Sequence, residues 1–147
     1  MNKEILDLLS KLSKDILINC AKKFMSKHEN RSERVCVKVA NLRKLYGSEF
    51  TLENWLKDPN NIYCGRHGRI FIDKIIFHYS GSKWANPFTL KQHSLDECIK
   101  LYRDYITKKI IDNPEYYDLD ELRGKHLGCW CNPKEKCHVD VLLSLIH

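Results

Sequence analysis

The sequence predicts an α/β fold: one small domain built on a sheet flanked by helices, preceded by a separate amphipathic helix. Runs of β-branched and aromatic residues at 35–42, 61–79 and 125–131 have strand character, while the segments that begin at Ser94 and His138 have helical periodicity. The two kinds alternate along the second half of the chain, as they do in α/β domains. A length of 147 residues suits one core of ordinary size, and a hydrophobic share of 43% against 30% charged marks a folded chain rather than a disordered one.

Taken in order, residues 3–26 form the first expected helix. Ile5, Leu9, Leu12, Ile16 and Cys20 recur at spacings of three and four and make an apolar stripe. That stripe needs a cover, whether the domain itself, a second copy or a membrane surface. With the polar stretch that follows, residues 1–34 read as a basic amphipathic helix plus linker, and residues 35–147 as the α/β domain. VCVKVANL (35–42) alternates and reads as a strand that carries Asn41 and Arg43 at its carboxyl end. Residues 45–62 form a connection around Trp55 with a turn at DPNN. NIYCGRHG (61–68) is a short strand running into a glycine-flanked Arg66, and RIFIDKIIFHY (69–79) is β-rich and suited to a hairpin with its neighbour. SGSKWANPF (80–88) is a loop. Ser94 and Glu97 then form a capping box for a helix with Leu95, Cys98, Ile99, Tyr102, Tyr105 and Ile106 inward. Asp118 and Glu121 mark a second helical start, KHLGCWC a buried strand, and His138 to Leu145 the last helix.

No run of about 18 apolar residues occurs, so no transmembrane segment is expected. The first residues break their apolar run with Lys, Asp and Ser and so lack the core of a signal peptide. The expectation is a cytoplasmic or nuclear protein that is not secreted. Seven cysteines, an odd count, then read as reduced thiols, with Cys20, Cys36, Cys64 and Cys98 as small core residues. The net charge of +6 comes from the front, where residues 1–45 hold 11 basic and 5 acidic side chains. Such a segment can attract nucleic acid or an acidic protein partner, or simply solvate a helix face.

The densest chemistry lies in LGCWCNPKEKCHVDVL, with Cys129, Cys131, Cys137, His138 and Asp140 as candidate catalytic residues. Three readings compete. Three thiolates and an imidazole are a zinc donor set, so Cys129, Cys131, Cys137 and His138 are the ligands if a metal binds. Structural zinc usually takes ligand pairs separated by two to four residues, however, and the spacing of C-x-C is tighter than that. Alternatively, Cys137 at a helix start, beside Lys134 and Lys136, is a stabilised thiolate in an anion-binding position. His138 adjoins it in sequence, but neighbouring helical residues do not face each other. In the third reading these residues only pack and cap.

ANLRK (40–44), YCGR (63–66), SKWANPF (82–88) and LRGKHLGCWCNPKEKCHVDVL (122–142) stand in one order along the chain. Together they resemble a small family known only as domain of unknown function 4326, found in bacteria, their phages and large DNA viruses. The family pattern runs N-x-R, Y-x-G-R, W-G-N-P-F, L-R-G-K-x-L-x-C-W-C-x-P and C-H-x-D-x-L. This chain has Ala85 where the family has glycine, an extra segment around RIFIDKIIFHY, and an N-terminal helix outside the resemblance. The resemblance implies a fold and a site but no reaction.

Asn41, Arg43, Gly65, Arg66, Ser82, Trp84, Asn86, Arg123 and Lys125 are the candidate ligand-binding residues, all at or near ends of expected strands or in loops. Arginine suits bidentate contact with phosphate, and tryptophan suits stacking on a base. The leading expectation is a Rossmann-like domain that binds a nucleotide-like or other phosphate-bearing ligand, with hydrolysis or transfer of that ligand as the further expectation. The alternative is a non-catalytic zinc module that engages nucleic acid or a protein through the basic front; a third is a structural protein assembled by that helix.

Overall fold

The computed structural model describes residues 31–147. The expected helix at 3–26 lies outside the described residues. Ser32–His147 form one compact unit, and no helix among the described residues is long and apolar enough to cross a membrane.

The centre is a three-stranded parallel sheet, β1 (Glu33–Cys36), β2 (Asn61–Tyr63) and β5 (His126–Cys129), in the order β1-β5-β2. β5 is therefore hydrogen-bonded along both edges, with Val35 and Tyr63 both opposite Gly128. The ladder continues past the strand ends, where Val37 N–H donates to Cys129 O (2.8 Å) and Cys64 N–H to Gly128 O (2.9 Å). A strand paired on both sides has two buried faces. Leu127 and Cys129 point into one core with Trp84, Tyr102, Ile106 and Leu142, and the opposite face meets Val35, Val37, Leu42, Leu52 and Trp55. Gly128 is what lets Trp55 lie on the sheet, since a Cβ there would sit 2.4 Å from the indole Cη2.

The strand expected at 35–42 is shorter. β1 ends at Cys36, and helix α1 (Val39–Tyr46) follows at once. Two facts explain the change. β5 offers only four residues for pairing, and parallel strands need a crossover, which helices supply. Asn41 Nδ2 holds the turn by donating to Cys36 O at 2.7 Å, and Leu42 becomes the buried helical position. The connection around Trp55 contains helix α2 (Leu52–Lys57), started by a Thr51–Asn54 capping box. The turn at DPNN is present, with Asn60 N–H donating to Asp58 Oδ1 at 2.9 Å.

RIFIDKIIFHY pairs with itself rather than with its neighbour. β3 (Gly68–Ile72) and β4 (Ile75–Tyr79) form an antiparallel hairpin apart from the main sheet. Asp73 and Lys74, both at positive φ (51° and 67°), make its two-residue turn. Helix α3 (Leu95–Asp112) is capped by Ser94, whose hydroxyl accepts from Glu97 N–H. Cys98, Tyr102 and Ile106 are its buried face, as their spacing predicts, while Leu95 is exposed. Asp118 starts a 3-10 turn at Leu119–Leu122, and helix α4 (His138–Ile146) closes the fold. The polar stretch read as linker meets the domain at Ser32, which donates to Leu122 O (2.7 Å) and accepts from Gly124 N–H (2.8 Å).

Gly128→Ala is expected to destabilise the domain by about 1–3 kcal/mol, because neither Trp55 nor the paired backbone has room to yield. Thermal unfolding would then fall by roughly 4–10 °C, and an unchanged transition would show that Trp55 can move away.

Candidate functional site

β5 ends at Cys129, and Cys131, two residues on, lies on the face that Cys129 occupies. The sulfurs of Cys129, Cys131 and Cys137 lie within 4.8 Å of one another. Cys129 and Cys137 are buried and Cys131 is half-buried. The loop between Cys131 and Cys137 is fixed by Arg34 of β1. Its guanidinium donates to Glu135 O (2.8 Å) and Asn132 O (3.2 Å), contacts Pro133 O, and pairs with Asp140 Oδ2 at 3.0 Å. Sequence reasoning missed Arg34, which stands in a polar stretch with no motif to mark it.

Three thiols this close share protons. Hydrogen bonds from Cys129 and then Cys137 hold the Cys131 thiol far below its ordinary value, with Arg34 pushing the same way and burial opposing. Cys129 is driven up by its bonds to Cys131 and Cys137 and by burial. For Cys137 the Cys129 contact lowers the pKa, but the bond to Cys131 and burial outweigh it and leave the thiol at about 11. The contacts within the cluster thus favour the thiolate at Cys131 over its two neighbours.

Cys137 is the N-cap of α4 in extended conformation (φ -144°, ψ 150°), with its N–H donating to Asp140 Oδ2 at 3.1 Å. Because Cys137 is not helical, the rule against neighbouring helical residues does not apply, and its sulfur lies 3.7 Å from His138 Nδ1. His138 Nε2 is 2.6 Å from the carbonyl oxygen of Cys64. A carbonyl can only accept, so Nε2 carries the proton. Burial lowers the His138 pKa, which favours the neutral ring and leaves the Nδ1 lone pair toward Cys137.

These groups floor a cleft of about 230 Å³ beyond the carboxyl ends of β2 and β5. Of the expected ligand residues, Gly65, Arg66 and Asn86 line it. Gly65 is required by close approach: the Tyr63 hydroxyl folds over it to donate to Arg66 O at 2.6 Å, and a Cβ would meet that oxygen at 2.4 Å. Asn86 shapes the loop, donating to Cys98 O (3.3 Å) and accepting from Phe88 N–H (2.9 Å). Despite the hairpin between them, Ser82 N–H donates to Gly65 O at 2.9 Å, so the extra segment leaves its two ends in contact.

Other expected residues go elsewhere. Trp84 is 1% exposed and packs edge-on against Tyr117, so it has no free face for stacking; Trp130, Tyr79 and Phe88 line the cleft instead. Trp130 Nε1 donates to Tyr63 OH at 2.8 Å, and its ring lies 5.6 Å from that of Tyr79. Asp140, a candidate base, is occupied by the cap and by Arg34. Ser82 Oγ accepts from Trp84 N–H (3.0 Å), and Asn41 braces β1, so both are loop-forming. Arg43 lines a different hollow with Val37, Leu52 and Phe71. Arg123 bonds to Asp120 and to Ile146 O at the end of α4, and Lys125 precedes β5. Both lie at the amino end of β5, a strand length from the cleft, because the motif that joins them to Cys129 runs along the strand. Tyr63 and Tyr79 are cleft residues that the sequence did not single out, and Lys136, expected only as a neighbour of Cys137, also lines the cleft.

The described residues thus form a small α/β domain with a cysteine cluster at the carboxyl edge of its parallel sheet. The family described as Domain of unknown function (DUF4326) matches residues 48–147, and the chain belongs to that family. The match begins after ANLRK. An uncharacterised protein, R718, of Acanthamoeba polyphaga mimivirus is 40% identical over 73 residues, covering 44% of this chain. The chain spans about half, 52%, of that relative. No solved structure matches.

In the metal-free protein Cys131 is expected to alkylate first. The rate follows the thiolate fraction, so a lowered pKa keeps it nearly constant from about pH 8 to about pH 6, where an ordinary thiol would slow about 100-fold. Peptide mapping after iodoacetamide checks this, and a rate that climbs with pH like a free thiol would refute it.

Proposed function

We propose that this domain binds a phosphate-bearing, nucleotide-like ligand in the cleft beyond β2 and β5, above a zinc ion held by Cys129, Cys131 and Cys137. The observation that carries the reading is the convergence of three sulfurs within 4.8 Å on the lining of that cleft. Tetrahedral zinc with Zn–S of about 2.3 Å needs sulfurs about 3.8 Å apart, which is compatible with three sulfurs within 4.8 Å of one another. Cys131 already favours the thiolate that metal binding requires.

The ligand class follows from the lining. Arg66, His67 and Lys136 border the cleft, and among the described residues no Asp or Glu does. Lys136 is paired with Asp96 at 3.0 Å, which leaves Arg66 as the main cation for a phosphate. Tyr79, Trp130 and Phe88 offer ring faces and edges for a base. Ligands in open α/β sheets bind beyond the carboxyl ends of the strands, and in that respect the arrangement is Rossmann-like.

Protein purified without chelator is expected to hold about one zinc per chain, and Cys131→Ser to lose most of it. Arg34→Met, which frees the loop that carries Cys137, should weaken zinc binding about 10-fold without unfolding the domain. In a thermal-shift panel of nucleoside phosphates and inorganic phosphate, a ligand at about 100 times its Kd should raise the transition by roughly 5–10 °C. Arg66→Gln should abolish that rise. Zero metal would remove the zinc part of the reading, and a panel with no shift would remove the ligand part.

A further inference from the structure

Zinc sites divide by their fourth ligand: structural sites close the tetrahedron with protein, whereas catalytic sites have three protein ligands and an exchangeable position. Which kind this chain builds can be argued from its neighbours. Among the described residues, the set of His, Cys, Asp and Glu donors within mutual reach contains Cys129, Cys131 and Cys137 and no fourth member.

His138 is the nearest rival. Its Nδ1 lies 3.7 Å from the Cys137 sulfur, but neither ring nitrogen is within 4.8 Å of all three sulfurs. The ring is also held in place. Nε2 is committed to Cys64 O at 2.6 Å, and the Tyr102 ring packs edge-on at 5.0 Å. Swinging Nδ1 onto the metal would leave a buried carbonyl without its donor, which is unfavourable. Asp140 is spent on the Cys137 N–H and on Arg34. His67 lies on the cleft wall, exposed and outside the donor set.

All three cysteines line the cleft that also holds Arg66 and Trp130. We therefore propose that a metal on Cys129, Cys131 and Cys137 keeps its fourth coordination position open to the cleft, for water or an anionic oxygen of the bound ligand. The proposal rests on the metal reading above and assigns the centre to the catalytic type. Zinc with three thiolates carries one net negative charge, and Arg34 behind the Cys131 loop offsets it. The exchangeable corner then faces the same space as Arg66, so one ligand can meet the metal and the guanidinium together.

Cobalt(II) substitution in the full chain separates the two ideas. Cobalt bound to thiolates shows an intense sulfur-to-metal charge-transfer band and visible bands that report the fourth ligand. The expected result is cobalt uptake at about one per chain, with visible bands that shift saturably on adding azide or inorganic phosphate. Phosphate but not azide should need more ligand in Arg66→Gln. His67→Gln should leave the starting spectrum unchanged, and His138→Gln, which also removes the contact with the Cys137 sulfur, should leave the response to added anion intact. A spectrum that no added anion moves, or one altered by His67→Gln, would mean a closed site and overturn the proposal while the metal reading stands. Absence of the charge-transfer band would overturn the metal reading itself, and the open position with it.

Discussion

Everything in the site depends on β5 being a four-residue strand bonded on both edges. With β1 on one side and β2 on the other, its backbone has no freedom to shift. Its side chains must therefore alternate strictly between two cores. That alternation places Leu127 and Cys129 in one core and requires the missing side chain of Gly128 on the other, where the Trp55 ring lies. It also sets where pairing stops. Residues two apart share a face, so Cys131 falls on the side of Cys129 just past the end of β5, and the two sulfurs meet there.

The return of the chain to Cys137 needs a second constraint, and Arg34 supplies it. One nearly buried guanidinium gathers three carbonyls of the 132–135 loop and the Asp140 carboxylate. The same carboxylate caps α4 through Cys137 N–H. Loop, helix start and thiol are thus one unit. A guanidinium suits this work better than lysine, because its several N–H donors reach four acceptors at once. The cluster's proton sharing follows from the same geometry, with Cys131 favoured as thiolate because two thiols donate to it.

The hairpin stands beside the site without separating its parts. Its ends are bonded through Ser82 N–H and Gly65 O, so Arg66 and Asn86 border one cleft. Its second strand also contributes Tyr79, whose ring leans on Trp130 and Tyr63 at the cleft rim.

The residues by themselves determined the α/β class, the helix from Ser94 with Cys98, Tyr102 and Ile106 inward, the strand ending at CWC and the helix from His138. These rest on local periodicity and capping, which act within a few residues. The motifs were enough to indicate the family and the three cysteines. Only the tertiary structure decided how far β1 runs, since pairing with β5 stops it at Cys36 and alternation alone would carry it to Leu42. It also moved Trp84 into the core, gave stacking surface to Trp130 and Tyr79, and sent Arg123 and Lys125 to the far end of β5. Those outcomes depend on which surfaces meet across the sheet, between residues as far apart in sequence as Arg34 and Asp140, and no local pattern records that.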